Sequence, residues 1–383
     1  MKIVIAPDSF KGSLTSIEVT NIIETAIFAV NPNYSVIKKP MADGGEGTID
    51  ALLSTTKGER INLKCTGPLG ETVETYYAIV GNTAIIECAN IAGLTQVPPS
   101  KRNPDVTTTY GIGEAILDAL DKGCQSFIIG LGGSATNDGG LGMLLALGMR
   151  AYDDRDERVG IFGKDLLNVR RVDLANLDPR LQHIQIQVAS DVHNPLCGER
   201  GASAVYGPQK GATPEQIQSY DNALRRFATL VESHIDRQVQ HIPGAGAAGG
   251  LGFALLALGA EIDSGAALIA TKMHIEQAIK QADLVITGEG QSDEQTLYGK
   301  APGYIATLAN KYKVPAILIS GSIYDVEKLQ KVFAGCFAIP NRPLTLAESM
   351  KEAESLLYLQ AKQVINLVST VIESGSIPNE KRE

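Results

Sequence analysis

Residues 2–30 read KIVIAPDSFKGSLTSIEVTNIIETAIFAV and contain a complete strand–loop–helix unit. The apolar run at 2–6 predicts a buried strand. Thr15 and Glu18 have the spacing of a capping box, and apolar residues follow at helical intervals as far as Val30. Such a unit is the building block of α/β proteins, so the sequence predicts an α/β fold with a mainly parallel sheet.

The last hundred residues repeat this alternation of strand and helix. Apolar runs at 284–287 and 316–320 predict strands, and the segments 302–313 and 345–372 have helical spacing. A single strand–helix unit at the N-terminus cannot cover both faces of its strand, so it needs the C-terminal strands as neighbours. The sequence therefore predicts one domain built from both chain ends.

The middle of the chain has a different pattern. Residues 61–65, 72–80 and 83–88 are alternating strand segments without room for helices between them, which favours antiparallel pairing. We therefore expect two domains, one with a parallel sheet and one of mixed α/β type. The first comprises residues 1–60 and 283–383, and the second is inserted at 61–282.

The composition argues against several classes of protein. The 383 residues include 34 Lys and Arg against 43 Asp and Glu, and the net charge of −9 argues against a nucleic-acid-binding protein. Five scattered cysteines without a C-x-x-C pair indicate neither a disulfide framework nor a zinc site, so we expect a reducing, cytoplasmic location. The uncharged stretch at 242–260 contains PGAGAAGG, which favours a loop and a short buried helix over a membrane span.

Polar and glycine residues cluster where the predicted strands end. In open α/β sheets, ligands bind beyond the carboxyl ends of the strands, so we expect these loops to face one cleft between the domains. Lys11 lies near a helix N-terminus, where a lysine can serve as a point charge for a phosphate or carboxylate ligand. The loops are residues 8–13, 43–47, Asp191 and 288–290.

The segment at 130–140, GLGGSATNDGG, is the richest in glycine and can gather backbone N–H groups around a phosphate. Gly130, Gly132 and Ala135 fit the dinucleotide pattern G-x-G-x-x-G/A, but residues 137–140 interrupt the helix that this pattern requires. The Walker, H-E-x-x-H and G-x-S-x-G patterns are absent. On these residues alone, a nicotinamide-dependent oxidoreductase acting on a small hydroxy acid and a simple anion-binding protein both stay open beside a kinase.

Eight motifs follow one another along most of the chain. Together they resemble the bacterial class I glycerate kinase family. Two positions depart from the family pattern, because residues 291–295 read QSDEQ without the usual Arg and His193 stands where Thr is common. The motifs are APDSFKGS at 6–13, MADGGEGT at 41–48, GGSATNDGG at 132–140, SDVHNPL at 190–196, GPQKGA at 207–212, PGAGAAGG at 243–250, GEG at 288–290 and GKAP at 299–302.

The resemblance implies ATP-dependent phosphorylation of D-glycerate with Mg²⁺, in a flavodoxin-like (Rossmann-like) domain that carries an inserted α/β domain. Phosphoryl transfer depends on positioning, charge neutralisation and orientation of the attacking hydroxyl. The choice between the C2 and C3 hydroxyls, and hence between 2- and 3-phosphoglycerate, stays open, as does the oligomeric state. We expect neither a nucleic-acid nor a membrane partner.

The expected site residues fall into four groups. Asp191 is the expected general base or hydroxyl-orienting group, and Lys11 is the expected catalytic cation. Substrate binding is assigned to Asp8, Ser9, Ser13, Asp43, Gly44 and Gly45, and ATP binding to Gly132, Gly133, Ser134, Thr136, Asn137 and Asp138. Mg²⁺ prefers carboxylate oxygens, and the expected metal ligands are Glu46, Glu289 and Asp293.

Overall fold

The computed structural model describes residues 1–374. The strands are β1 (Lys2–Ile5), β2 (Ser35–Lys38), β3 (Glu59–Thr66), β4 (Thr72–Val80), β5 (Thr83–Glu87), β6 (Ser126–Gly130), β7 (Arg150–Tyr152), β8 (Arg171–Asp173), β9 (Gln185–Ala189), β10 (Glu261–Asp263), β11 (Leu284–Thr287), β12 (Gln291–Ser292), β13 (Ala316–Ser320), β14 (Ser322–Ile323) and β15 (Gly335–Ala338). The α-helices are α1 (Ser16–Val30), α2 (Thr48–Leu53), α3 (Cys88–Ala92), α4 (Tyr110–Asp121), α5 (Leu141–Ala146), α6 (Gly163–Leu166), α7 (Ala202–Tyr206), α8 (Pro214–Glu232), α9 (Ala247–Ala257), α10 (Gly265–Lys272), α11 (Ile275–Lys280), α12 (Ala301–Lys311), α13 (Val326–Leu329), α14 (Leu346–Lys351) and α15 (Ala353–Glu373).

Both ends of the chain contribute strands to one five-stranded sheet. Its order is β2–β1–β11–β13–β15, and each neighbouring pair is parallel. Counted along the chain, this order is 2-1-3-4-5, which is the order of flavodoxin-like folds. Strands β11 and β13 are buried over their whole length, as apolar strands covered on both faces are. The predicted α/β fold, with a flavodoxin-like parallel sheet from both chain ends, is confirmed.

Helices α1 and α15 pack against each other beside this sheet. Thr15 and Glu18 form the predicted capping box, since Thr15 Oγ1 accepts a hydrogen bond from Glu18 N at 3.2 Å and the Glu18 carboxylate accepts one from Thr15 N at 2.8 Å. The prediction of a single helix at 345–372 is wrong, because the structure has two helices there. The backbone at Glu352 leaves the helical region, with φ −99° and ψ 8°, and separates α14 from α15.

The middle of the chain forms a six-stranded mixed sheet of order β10–β9–β6–β5–β4–β3. Strands β5, β6, β9 and β10 are parallel, whereas β3–β4 and β4–β5 pair in the antiparallel sense. The antiparallel element predicted from the alternating segments is therefore confirmed. Because β5, β6, β9 and β10 run in one direction, the loops that follow them emerge at one edge of the sheet.

The chain divides into two compact units. Unit 1 comprises Met1–Ala42, Asp50–Thr55 and the chain from Ala266 onward, and unit 2 comprises Asp43–Ile49 and Thr56–Gly265. Residues 266–282 thus group with the chain ends, and the short loop 43–49 groups with the mixed sheet. Within residues 1–374, no helix has the length and apolar character needed to cross a bilayer.

Candidate functional site

In unit 1, the loops after three parallel strands meet through close backbone contacts. The amide of Asp8, beyond β1, donates a hydrogen bond to Gly288 O at 2.8 Å. A Cβ on Gly288 would lie 1.8 Å from Ile319 O, and one on Gly321 would lie 2.4 Å from Gly290 O. Strands β1 and β11 flank the point where the strand order reverses, which is where doubly wound sheets bind ligands.

The loop after β1 presents an exposed lysine on a tight turn. Asp8 is buried, and its Oδ1 accepts a hydrogen bond from Ser9 N at 2.6 Å. The hydroxyl of Ser13 donates to Phe10 O at 3.0 Å and helps to close the turn. Gly12 has φ +83°, a conformation that glycine adopts readily, and Lys11 beside it is exposed. The structure therefore brings the predicted residues Asp8, Ser9, Lys11 and Ser13 together.

A buried carboxylate, Glu289, follows β11 in the same unit. Its Oε1 accepts hydrogen bonds from Thr296 Oγ1 at 2.6 Å and Ser292 Oγ at 3.1 Å, and its Oε2 lies 3.8 Å from Lys300 Nζ. Burial raises the pKa of Glu289, and the hydrogen bond from Thr296, the charge of Lys300 and the hydrogen bond from Ser292 oppose that rise.

In unit 2, the loop 43–49 lies against the strand-end loops of the mixed sheet. A Cβ on Gly132 would lie 2.6 Å from Gly45 Cα, and one on Gly130 would lie 2.3 Å from Gly44 O. The amide of Ile49 donates to Glu87, at the end of β5, at 2.5 Å. The structure thus brings the predicted substrate-binding residues Gly44 and Gly45 onto the loop predicted to bind ATP.

Asp191 follows β9 and lies at the same edge. Its Oδ1 accepts a hydrogen bond from Gly265 N at 3.1 Å, and the Ser264 side chain also bonds to it. Burial raises the pKa of Asp191, the Ser264 hydrogen bond opposes this, and the negative charge of Asp43 raises it further. A carboxylate with a raised pKa is a better proton acceptor than an ordinary aspartate, which suits a general base.

The glycine-rich loop is held by backbone hydrogen bonds to Ala92 and Leu94. Gly133 has φ +72°, its carbonyl accepts from Leu94 N at 2.7 Å, and Ala135 N donates to Ala92 O at 2.8 Å. These contacts fix the first half of the loop beside the segment that follows α3.

Asp138 is completely buried in the second half of that loop. Its Oδ2 accepts from the backbone and hydroxyl of Thr109 at 2.9 and 2.7 Å, and its Oδ1 accepts from Gly140 N at 3.0 Å. Burial raises the pKa of Asp138. The carboxylate of Asp138 therefore shapes the loop from within.

Two polar atoms of this loop have unused hydrogen-bonding capacity: a hydroxyl, which can donate to a phosphate oxygen, and an amide oxygen, which can only accept from a donor group of a nucleotide. Thr136 Oγ1 and Asn137 Oδ1 are buried and have no hydrogen-bond partner among the described residues. Buried polar atoms in proteins are normally satisfied, so these two mark a place where a bound group could complete the hydrogen bonding. Asn137 Nδ2 is already engaged, because it donates to Ser203 Oγ at 2.9 Å.

Sequence reasoning missed two buried charged residues. Lys210 donates to Ser134 Oγ at 2.9 Å and to Thr136 O at 2.6 Å, and Glu87 holds the N-terminus of α2 through Ile49 N. Lys210 lies in the quoted string GPQKGA, but its spacing gives no sign of its burial, because most lysines are exposed. Glu87 is the last residue of a strand, and this position was the sequence feature that could have marked it as a site residue.

The predicted metal ligands lie in both units. Glu289 and Asp293 belong to unit 1, and the charge of Asp293 raises the pKa of Glu289, while Glu46 is exposed in unit 2. Residues 1–374 contain no group of three His, Cys, Asp or Glu side chains arranged to hold a metal. Mg²⁺ commonly takes only one or two carboxylates and completes its shell with water and phosphate oxygens, so the pair Glu289 and Asp293 fits that ion.

A flavodoxin-like sheet with polar loops at its switch point, and a second sheet with a glycine-rich loop at its strand ends, define an α/β protein whose strand-end loops are placed where such folds bind ligands. Comparison with known proteins identifies the family to which this α/β protein belongs. The Glycerate kinase family matches residues 3–369, and the chain belongs to this family. Members are kinases, so the chain is a kinase that uses ATP, and this decides against the oxidoreductase alternative.

Individual relatives are similar over nearly their full lengths. The glycerate kinase of Haemophilus influenzae is 47% identical over 96% of this chain and 99% of its own. The glycerate 2-kinase of Escherichia coli strain K12 is 47% identical over 85% of this chain and 86% of its own. A crystal structure from Salmonella typhimurium LT2, provisionally assigned as glycerate kinase 2, has a TM-score of 0.87 and 43% identity and covers 97% of this chain and 99% of its own.

Proposed function

We propose that this protein is a class I glycerate kinase, which transfers the γ-phosphoryl group of ATP to a hydroxyl of D-glycerate with Mg²⁺. The observation that carries this proposal is the extent of the family match, because residues 3–369 include the strand-end loops of both units. Five free cysteines support a reducing compartment, and we place the protein in the cytoplasm.

The loop of residues 132–138 binds the phosphates of ATP. Its glycines let the backbone approach the ligand, the unpartnered Thr136 hydroxyl can donate to a phosphate oxygen, and the unpartnered Asn137 Oδ1 can accept from a donor group of the nucleotide. Ser134 belongs to the same set of ligands, whereas Asp138 acts by holding the loop through Thr109 and Gly140.

Asp191 takes the proton from the attacking hydroxyl, or orients it, since its carboxylate is half-buried and its pKa is raised. Asp43, Gly44 and Gly45 bind substrate beside it in unit 2, where Asp43 Oδ1 accepts from Gly45 N at 3.0 Å. This internal hydrogen bond fixes the Asp43 side chain at the edge of the loop.

In unit 1, Lys11 supplies the positive charge for the carboxylate of glycerate or for a phosphate, with Asp8, Ser9 and Ser13 around it. Glu289 and Asp293 would hold Mg²⁺ in unit 1, and Glu46 is the candidate ligand in unit 2. The ion supplies charge neutralisation for the phosphoryl oxygens when it is bound.

The direct test is to incubate the protein with ATP, Mg²⁺ and D-glycerate and to identify the product by ³¹P NMR. We expect ADP and a phosphoglycerate, and the phosphorus chemical shift assigns the C2 or C3 position. Reactions without D-glycerate, and with NAD⁺ in place of ATP, are the controls. Absence of a phosphoglycerate, or glycerate oxidation with NAD⁺, would overturn the proposal.

A further inference from the structure

Lys210 is a lysine with almost no exposed surface, only 2% of its maximum. It ends the short 3₁₀-helix Pro208–Lys210. Gly211 follows it with φ +84°, and a Cβ there would lie 2.1 Å from Arg102 O. The backbone on either side is therefore tightly placed, and the side chain reaches under the glycine-rich loop.

The direction of one hydrogen bond is fixed by chemistry. A lysine ammonium group has three donors and no acceptor, so Ser134 Oγ must accept the 2.9 Å hydrogen bond from Lys210 Nζ. The hydroxyl proton of Ser134 must then point elsewhere, and no described residue accepts it. Phosphate oxygens are strong acceptors and would take that proton.

We infer that Lys210 is a positioning residue, which acts through Ser134 by turning the Ser134 hydroxyl proton toward a phosphate of ATP. Its second hydrogen bond, to Thr136 O at 2.6 Å, holds the loop two residues further on. This inference rests on the proposed function, in which residues 132–138 bind ATP. Lys210, which lies outside that loop, thereby joins the residues that prepare the ATP site, and Ser134 donates its hydroxyl proton to a phosphate.

The hydrogen bond between Lys210 and Ser134 should depend on pH. Burial lowers the pKa of Lys210 to about 8, and the groups that face it are Cys88 and Asp138. Burial raises the pKa of Cys88 to about 12, so this thiol keeps its proton across the range in which Lys210 titrates. Above pH 8 the neutral amine has a lone pair and can accept the Ser134 proton, which turns that donor away from the ligand.

The test is a double-mutant cycle on ATP affinity, measured by calorimetry on the full-length protein at pH 7. We expect Ser134→Ala and Lys210→Met each to weaken ATP binding about tenfold, the effect of losing one hydrogen bond to a charged group. In the double variant we expect a loss smaller than the sum of the two single losses, because Lys210 acts in part through Ser134 and in part through its hydrogen bond to Thr136 O. Lys164→Met is the matched control, since Lys164 is an exposed lysine of the same unit, and it should bind ATP normally.

A second measurement does not depend on the folding of Lys210→Met. Between pH 7 and pH 9, ATP affinity should fall further in the wild type than in Ser134→Ala, which lacks the hydroxyl. Equal pH dependence in these two proteins, additive losses in the cycle, or normal ATP binding by Ser134→Ala would overturn the role of Lys210 while leaving the kinase proposal intact. Wild-type protein that does not bind ATP would overturn both.

Discussion

Both units have polar loops at the carboxyl ends of parallel strands, but the lysines at these loops differ in burial. In unit 1, Lys11 is exposed at the tip of a turn. In unit 2, Lys210 is buried beneath the glycine-rich loop and donates to Ser134 and Thr136. A lysine thus lies on the surface of one loop, whereas in the other unit a lysine is buried beneath the loop and donates hydrogen bonds to it.

The difference follows from desolvation. An exposed ammonium group stays largely hydrated, whereas a buried one loses its hydration and must find partners within the protein. The pKa of Lys210 is lowered because its burial disfavours the charged form. We propose that the exposed Lys11 contacts the ligand, whereas the buried Lys210 holds the glycine-rich loop through Ser134 and Thr136.

The largest effect should come from removing residues 283–383. This deletion takes away β11, the parallel partner of β1, and α15, which packs against α1. We expect residues 1–42 to lose their hydrogen-exchange protection, because β1, β2 and α1 alone cannot cover both faces of the strands. Protection equal to that of the full-length protein would show that the N-terminal segment folds without these partners.

Asp191→Asn should lower kcat by about 10²- to 10⁴-fold, the usual contribution of general base catalysis, with little change in ATP affinity. Only the deprotonated carboxylate can accept a proton, so wild-type kcat should rise with pH through the raised pKa of Asp191. The variant should lose this rise. Asp173→Asn changes a strand-end aspartate elsewhere in unit 2 and should leave kcat unchanged. Near-normal kcat in Asp191→Asn would remove Asp191 from the role.

Gly133→Val should weaken ATP binding about tenfold, because the new side chain displaces the loop and disturbs its hydrogen bonds to a charged ligand. Its Cβ would lie 3.2 Å from Ala89 Cβ, at a backbone with φ +72°. Gly81→Val is the matched control, since Gly81 has φ +62° and nothing within 4 Å of the added Cβ. Both variants should lose stability by thermal melting, and only Gly133→Val should lose ATP affinity. Equal ATP affinity in the two would contradict the nucleotide-binding role of the loop.

The smallest effect is expected for Lys11→Ala. An exposed charge pair contributes up to about 1 kcal/mol, so KM for D-glycerate should rise about fivefold in steady-state kinetics. Lys331→Ala removes another exposed lysine of unit 1 and should not change KM. If the two variants behave alike, Lys11 is an ordinary surface lysine.

Local sequence patterns determined most of the helices and strands discussed above. The capping box at Thr15 and Glu18, the antiparallel segments before residue 88 and the apolar strands at both chain ends could all be predicted from short windows of sequence. Each depends on neighbours within a few residues, through side-chain periodicity or a cap. The positions of the strand-end loops follow from these elements.

Only the tertiary structure decided which distant residues meet. Lys210 contacts Ser134 across 76 positions of sequence, and Glu87 contacts Ile49 across 38. The loop 43–49, which follows a strand of unit 1, packs within unit 2 because Gly44, Gly130 and Gly132 lack the side chains that would keep the backbones apart. Burial depends on the packing of the whole chain, and it is burial that distinguishes Lys210 from the exposed Lys11.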